Sequence, residues 1–436
     1  MFDSLVTSLR RKAGLIGWTA RHDRTHGTQL YAAAGRIEAE RQTREERFTL
    51  AVLCPTTAPD GSKGCGTGEA TLLPGEAIEP AIERATEMAS HVHNPPHGLP
   101  GPAPLPDVPL EDRGLVERPL ESLREAHARL TAYAGKHPSL RMTAAEWHAE
   151  SVETNLVNSL GQEGTQRATN FNVEWVLVSG ERDDRVEGFH ERRLRRLADL
   201  PMEEDFEELA RRTLDRQRAG AAPAWDGPVV VRGTTLATYI DSGPIRFLGS
   251  AANRYAKMSR WEIGQEVAAA DGRGDRLTLW ANRILPYGTH SCRFDDEGIP
   301  GQRLLLIRDN RLEAFSASQR YAEYLRLPAT GEFGDIELPP GSTAASDLLK
   351  PPYVEITTFS WFNPDPVTGD FASEIRLGYV VENGVQRPFR GGLLIGNLME
   401  SLARARWSRE TGFFGNYLGP AVGRFEGLNV AGPTTG

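Results

Sequence analysis

Cysteine is scarce in this chain. Cys54, Cys65 and Cys292 are the only three among 436 residues, too few and too scattered for a disulfide framework, which points to a reduced, cytoplasmic setting. No stretch approaches the roughly 18 consecutive apolar residues of a membrane-spanning helix, so no membrane partner is expected. The opening MFDSLVTSLRRKAG reads as an amphipathic helix in which Arg10, Arg11 and Lys12 follow the apolar residues, the reverse of a secretory leader. Positive charge is not in excess: 50 Lys and Arg against 59 Asp and Glu give a net charge of −9, which argues against a general nucleic-acid binder. The run Arg192-Arg193-Leu194-Arg195-Arg196 is a local exception, expected as the exposed end of a hairpin leading into a helix.

The common catalytic signatures are also missing. A zinc-protease helix needs two histidines on one face with a glutamate beside them to activate the bound water. His190-Glu191 opens that pattern, but Leu194 and Arg195 stand where the second histidine would be. The segment Gly64-Cys65-Gly66-Thr67-Gly68 suggests a phosphate cradle. Glu69, however, occupies the place of the last glycine of a dinucleotide fingerprint, and no Lys-Ser/Thr follows to complete a P-loop, so a plain turn is expected. There is no G-x-S-x-G nucleophile elbow. Cys292 lies close to His290, but a catalytic thiol needs a base fixed beside it in space, and a buried or half-buried thiol is the expectation. His93 and His97 cannot share a helix face across Pro95 and Pro96, and read as loop histidines.

What is present is an ordinary globular composition. Hydrophobic residues at 39% and charged residues at 25% fit a soluble protein, and the length suits about two or three domains. Helices are expected over residues 2–13, 76–90, 120–134 and 202–218, where apolar residues recur at helical spacing. Short strands are expected over 14–21, 29–33, 36–40 and 47–54, broken at His26-Gly27 and Gly35, and over 144–149, 151–157, 165–168 and 172–179. Residues 93–109 hold seven prolines in 17 positions, which excludes a helix or a central strand and predicts an exposed surface excursion. Residues 223–227 (PAWDG) suggest a domain boundary, beyond which strands and glycine turns dominate.

The stretch with most character is FDDEGIPGQR, residues 294–303. Asp295, Asp296 and Glu297 run into Gly298, Ile299, Pro300 and Gly301, a tight turn feeding a strand over 304–308. Asp309 and Asn310 then turn the chain into a return arm over 311–315. By residue chemistry alone, the acidic turn reads first as a solvated loop.

FDDEGIPGQR followed by LLLIRDNRL resembles the TldD/PmbA family, specifically its TldE (PmbA)-like branch. Arg320-Tyr321-Ala322, ELPPG at 337–341, TGDFAS at 368–373, YVVENG at 379–384 and GGLLIGNLMESL at 391–402 agree in order and spacing. NSLG at 158–161 is a weaker upstream anchor, and the resemblance covers roughly residues 140–432. It implies an α+β chain with an N-terminal mixed domain over 1–224 and a β-rich domain over 225–436. TldD-like chains of this family carry zinc on an HExxxH motif; TldE-like chains lack it and pair with a TldD-like chain as a peptide-cleaving protease, some pairs acting on specialised metabolites. Here residues 235–266, the corresponding region, contain no His or Cys. By resemblance, then, this chain holds no cofactor, zinc sits in a TldD-like partner, and Asp295, Asp296, Glu297, Arg303, Asp370, Glu374 and Arg376 are the candidates to line a substrate cavity. Glu374-Ile375-Arg376 departs from the small, Gly-rich step expected after TGDFS, and residues 359–364 (FSWFNP) replace a Gly-rich loop. A non-catalytic binding or scaffold protein, and a self-sufficient hydrolase, remain the competing classes.

Overall fold

The computed structural model describes residues 1–181, 184–268 and 274–432. The N-terminal domain is one antiparallel sheet covered on one face by helices. Its strands are β1 (Gly17–Ala33), β2 (Arg36–Thr57), β3 (Lys63–Leu72), β4 (Arg141–Asn158), β5 (Glu163–Ser179) and β6 (Val186–Leu194), in the order β3-β2-β1-β4-β5-β6. The helices are α1 (Phe2–Arg11), α2 (Ile78–Ser90), α3 (Arg113–Glu117), α4 (Pro119–Ala134) and α5 (Met202–Gln217).

The strands are much longer than the sequence pattern suggests. β1 runs through His26-Gly27 without a break, and the two segments expected over 144–157 are one strand. The reason is that the apolar residues keep one parity from end to end. Trp18 and Ala20 at one end of β1, and Leu30 and Ala32 at the other, all face the helices. One end packs against α1 and α2 through Leu5, Leu9, Ile82 and Ala85; the other packs against α4 and α5 through Leu123, Leu130 and Phe206. Between the two clusters the strands need no burial, so polar residues there cost nothing and look like a gap.

The expected turn at Gly64–Gly68 is part of β3 instead. A side chain on Gly66 or Gly68 would overlap the carbonyls of Ala89 or Ala85, so these glycines let α2 lie directly on the strand. Nor is the arginine run simply exposed. Arg192 pairs with Asp205 on α5 at 2.7 and 2.5 Å, and Arg196 pairs with Asp199 while covering the ring of Tyr287. Arg195, buried, donates to the carbonyls of Gly288, Thr289, Ser291 and Thr169 at 2.7, 3.0, 2.9 and 3.1 Å, pegging the first domain to the second. His190, 3.1 Å from Asp205 and stacked on Trp175, is a core histidine.

The C-terminal domain contains two sheets. In one, the hairpin Arg303–Arg308 and Arg311–Leu312 pairs with Leu279–Asn282, followed by Asp335–Glu337, Tyr417–Pro420 and Thr411–Phe413. In the other, Val229–Arg232, Tyr353–Phe359 and Asp370–Glu382 are central, and Leu393–Asn397 pairs with the start of the last of these. Leu306, Ile307 and Tyr417 from the first sheet share one core with Val231, Ile356 and Ile375 from the second and with the helices Gly233–Ile240 and Leu398–Ala403. Gly220–Ala221 already pairs with Phe389–Arg390 of this sheet, so the chain enters the second domain just ahead of the expected boundary. The architecture is α+β, a mixed first domain followed by a β-rich second one. Among the described residues no helix is long and apolar enough to cross a membrane.

Candidate functional site

The acidic turn forms as its residues dictate. Asp295 NH donates to the carbonyl of Ile299 at 3.0 Å, Gly298 takes φ of 93°, and a bridge joins Phe294 to Pro300. The following hairpin turns through Asp309 and Asn310 at φ of 49° and 66°, the left-handed pair that a tight two-residue turn requires.

The turn is not the solvated loop that its composition suggests. Asp295 is buried. Its Oδ1 accepts the backbone NH groups of Glu297 and Ile299 at 3.1 and 2.9 Å, and its Oδ2 accepts Arg283 Nη1 at 3.0 Å. Arg283 in turn donates to Cys292 Sγ at 2.8 Å. Asp295 therefore builds the turn and is not free to meet a ligand. Burial pushes the Cys292 thiol up to about 11, although Arg283 pulls the other way. It is a neutral, half-buried thiol near pH 7.

With Asp295 as the anchor, the next two acids face the first domain. Asp296 pairs with Arg21 on β1, and Arg21 also holds Asp23 at 2.9 Å. Glu297 accepts the backbone NH of Gln319 at 2.8 Å. Its carboxyl is raised to about 7, first by burial and then by Asp295 and Glu332, with Arg320 opposing. Glu332 is raised as well, by burial and by Asp296 and Asp295. Asp296 and Glu297, with Arg21 and Arg320, edge a cleft of about 700 Å³ between the domains, and Glu332 lies outside its lining. Its floor is the face of β1 and β2 that the helices leave open, with Arg21, Thr49 and Arg47 among its lining, and the turn and Arg320 form the opposite wall. A carboxyl that changes charge near neutrality, beside arginines and an open sheet face, can hold polar groups of an extended chain by hydrogen bonds and ion pairs.

The Pro-rich segment closes one end of this cleft. It has no regular structure, as expected, but it is a strap between the domains and not a free excursion. Gly98 NH donates to Glu323 at 3.0 Å, Tyr324 OH donates to the carbonyl of Pro95 at 2.8 Å, and Arg320 donates to Asn94 at 2.6 Å. His97 lies 3.1 Å from the buried Cys65 thiol and 3.2 Å from Tyr324 OH, and burial lowers its pKa. Further along, Asn158 holds the carbonyl of Pro100 and Arg293 holds that of Pro106, at 2.8 and 3.1 Å.

The remaining candidates lie elsewhere. Arg303 makes a two-pronged pair with Glu337 at 2.7 and 2.8 Å and lies over Trp280, so it braces the sheet. Asp370 accepts Asn397 Nδ2 at 2.8 Å; the same amide holds the carbonyl of Thr368 while Asn397 caps the helix Leu398–Ala403. That latch ties the TGDF block to the GN-L block. Glu374 is exposed on the strand Asp370–Glu382, and Arg376 lines a second cleft at the other end of the domain seam. Only Asp296 and Glu297 of the candidates line the first cleft. Arg21 and Glu332 carried no signal in the sequence, whereas Arg320 was marked by its block. Among the described residues no three His, Cys, Asp or Glu side chains gather as a metal site.

The fold and this seam define a two-domain α+β protein whose second domain presents an acidic turn to the open sheet face of the first. Residues 228–432 match the family model described as PmbA/TldA metallopeptidase C-terminal domain. Three solved structures share the whole fold. A candidate modulator of DNA gyrase from Thermotoga maritima has a TM-score of 0.84 at 18% identity, with 99% of each chain covered. TldE from Thermococcus kodakarensis has 0.83 at 17%, with 98% of this chain and 100% of that one covered. A candidate DNA gyrase modulator from Bacteroides thetaiotaomicron has 0.79 at 17%, with 99% and 97% covered. An uncharacterized protein of Methanocaldococcus jannaschii is 24% identical over 234 residues, and the match spans 50% of this chain and 55% of that protein. Residues 228–432 are thus a domain of the PmbA/TldD family, and the chain as a whole shares its fold with TldE.

Proposed function

We propose that this chain is the non-metal subunit of a two-chain TldD/TldE-type metallopeptidase or amide hydrolase of the cytoplasm. The observation that carries the reading is a metallopeptidase-family domain over 228–432 in a sequence that has no HExxxH motif, with no His or Cys over 235–266. The zinc belongs to a TldD-like partner, whose HExxxH histidines would hold it and whose glutamate would activate water. The part played by this chain is to close the cavity, position the substrate and exclude water. The substrate is a peptide or an amide-linked natural-product intermediate. An extended peptide laid across the open faces of β1 and β2 would meet Arg21 and Arg47 on one side and Asp296 and Glu297 on the other. The self-sufficient alternative fares poorly at Cys292, whose thiol is held neutral by burial.

The test measures peptidase and amidase activity of this chain, of a TldD-like chain, and of the two mixed, alongside the zinc content of each. Activity confined to the mixture, with zinc carried by the partner, is expected. Full activity from this chain alone, insensitive to chelator, would replace the reading with the self-sufficient hydrolase. A mixture that neither associates nor gains activity would favour the binding or scaffold protein.

A further inference from the structure

The second cleft, about 600 Å³, is built at the opposite end of the domain seam from the acidic turn and takes no part in the function proposed above. Its walls come from β5 and the edge strand β6, from helix α5, and from the strands Tyr353–Phe359, Asp370–Glu382 and Val385–Arg390 of the second domain. The composition of the walls is lopsided. Among the described residues Arg185, Arg212, Arg216, Arg376 and Arg390 line it, with Glu187 as the only acid of that lining.

The counter-charges do not cover this excess. Glu208 pairs with Arg212, and Glu187 pairs with Arg185. Arg216 spends one nitrogen on the carbonyl of Glu187 at 3.0 Å. Among the described residues, the side chains of Arg376 and Arg390 make no ion pair or hydrogen bond, and from neighbouring strands their charges act against Arg216. Burial, followed by the charges of Arg376 and Arg390, lowers the Arg216 pKa, with Glu187 and Glu374 opposing. In addition, the Nε of Arg212, which lines the cleft, is buried and has no partner among the described residues. Free guanidiniums gathered from two domains around an orphaned buried donor form a site whose missing component is an anion. Phe189, exposed to 59%, and Phe359 add apolar surface beside the charges.

We propose that this arginine cleft binds a ligand carrying an oxyanion, a phosphate or carboxylate group, clamped between Arg212 and Arg216 of the first domain and Arg376 and Arg390 of the second. Guanidinium forks match the geometry of both groups, and a ligand held from both sides would tie α5 to the second domain. Single-sign charge of this density also draws anions in from solution, more strongly at low salt.

The test is calorimetric titration of the full chain, in low-salt chloride buffer, with inorganic pyrophosphate and separately with citrate. Binding of either probe is expected, weakening as salt rises. Arg376→Ala/Arg390→Ala should weaken it by about tenfold or more, since charge-assisted hydrogen bonds are lost. Both residues are exposed strand positions, so the variant is expected to fold. Glu187→Gln, which removes the cleft's own acid, should leave binding equal or tighter. A preference for pyrophosphate assigns a phosphate-bearing ligand, and a preference for citrate a carboxylate-bearing one. Absence of binding by both probes at millimolar concentration, or equal binding by wild type and the double variant, would overturn the proposal.

Discussion

Glu297→Gln is the substitution that most directly tests the physics of the acidic turn. The Glu297 carboxyl is displaced from an ordinary 4.5 to about 7 because burial penalises its charge and Asp295 and Glu332 add to the penalty. The folded protein therefore holds a proton on Glu297 at pH values where the unfolded chain has released it. Folding stability must then fall as pH rises between 4.5 and about 7, and the cost is fully present above that range. That interval corresponds to about 3 kcal/mol. Glutamine keeps an oxygen to accept the Gln319 NH, which Glu297 now holds at 2.8 Å, but carries no charge. The variant should match the wild type at pH values below the ordinary glutamate range, and exceed it by about 2–3 kcal/mol above pH 7 or so. Urea unfolding across a pH series reads the difference directly. A gap between the two proteins that stays constant with pH would refute the assigned burial. If the same series were run with a saturating peptide substrate, loss of binding in the variant would separate a ligand role from a purely structural strain.

Two further outcomes follow from the way the domains are joined and packed. Arg195→Met should destabilise the chain by about 3–5 kcal/mol in urea unfolding, because it leaves the buried carbonyls that Arg195 satisfies without a donor; a loss below about 1 kcal/mol would show that water replaces the side chain. Gly66→Ala should cost on the order of 3 kcal/mol or more by thermal or urea unfolding, since its methyl would overlap the Ala89 carbonyl on α2, while Gly101→Ala in the strap, with open space around it, should change little.

The hairpin after the acidic turn was legible because its chemistry is local. Asp309-Asn310 tolerates positive φ wherever it is placed, and Pro300 with its flanking glycines shapes a turn without help from distant residues. The four longer helices of the first domain were legible for the same reason, as periodic apolar faces, whereas the short helices such as Gly233–Ile240 and Leu398–Ala403 were not. The family blocks were legible as ordered motifs, and the structure gives some of them a mechanical basis, as in the Asn397–Asp370 latch.

Whether a charged residue serves a ligand or the framework was decided only by tertiary structure. Asp295, Asp296 and Glu297 are adjacent acids with three different fates. Asp295 is consumed by Arg283 and by backbone NH groups, Asp296 reaches Arg21 across 275 residues of chain, and Glu297 is forced towards neutrality by burial. Likewise Arg303 and Arg376 look alike in sequence, yet one is spent on Glu337 and the other faces a cleft without a partner among the described residues. The continuity of β1 and β2 was hidden because a strand's exposed middle carries no apolar alternation to read. The sequence by itself determined the acidic turn and its hairpin, the faces of the long helices and the family resemblance of the second domain, since each depends on residues close together in the chain. Burial, charge balance and the two clefts at the domain seam depend on which distant residues meet, and no local pattern encodes that.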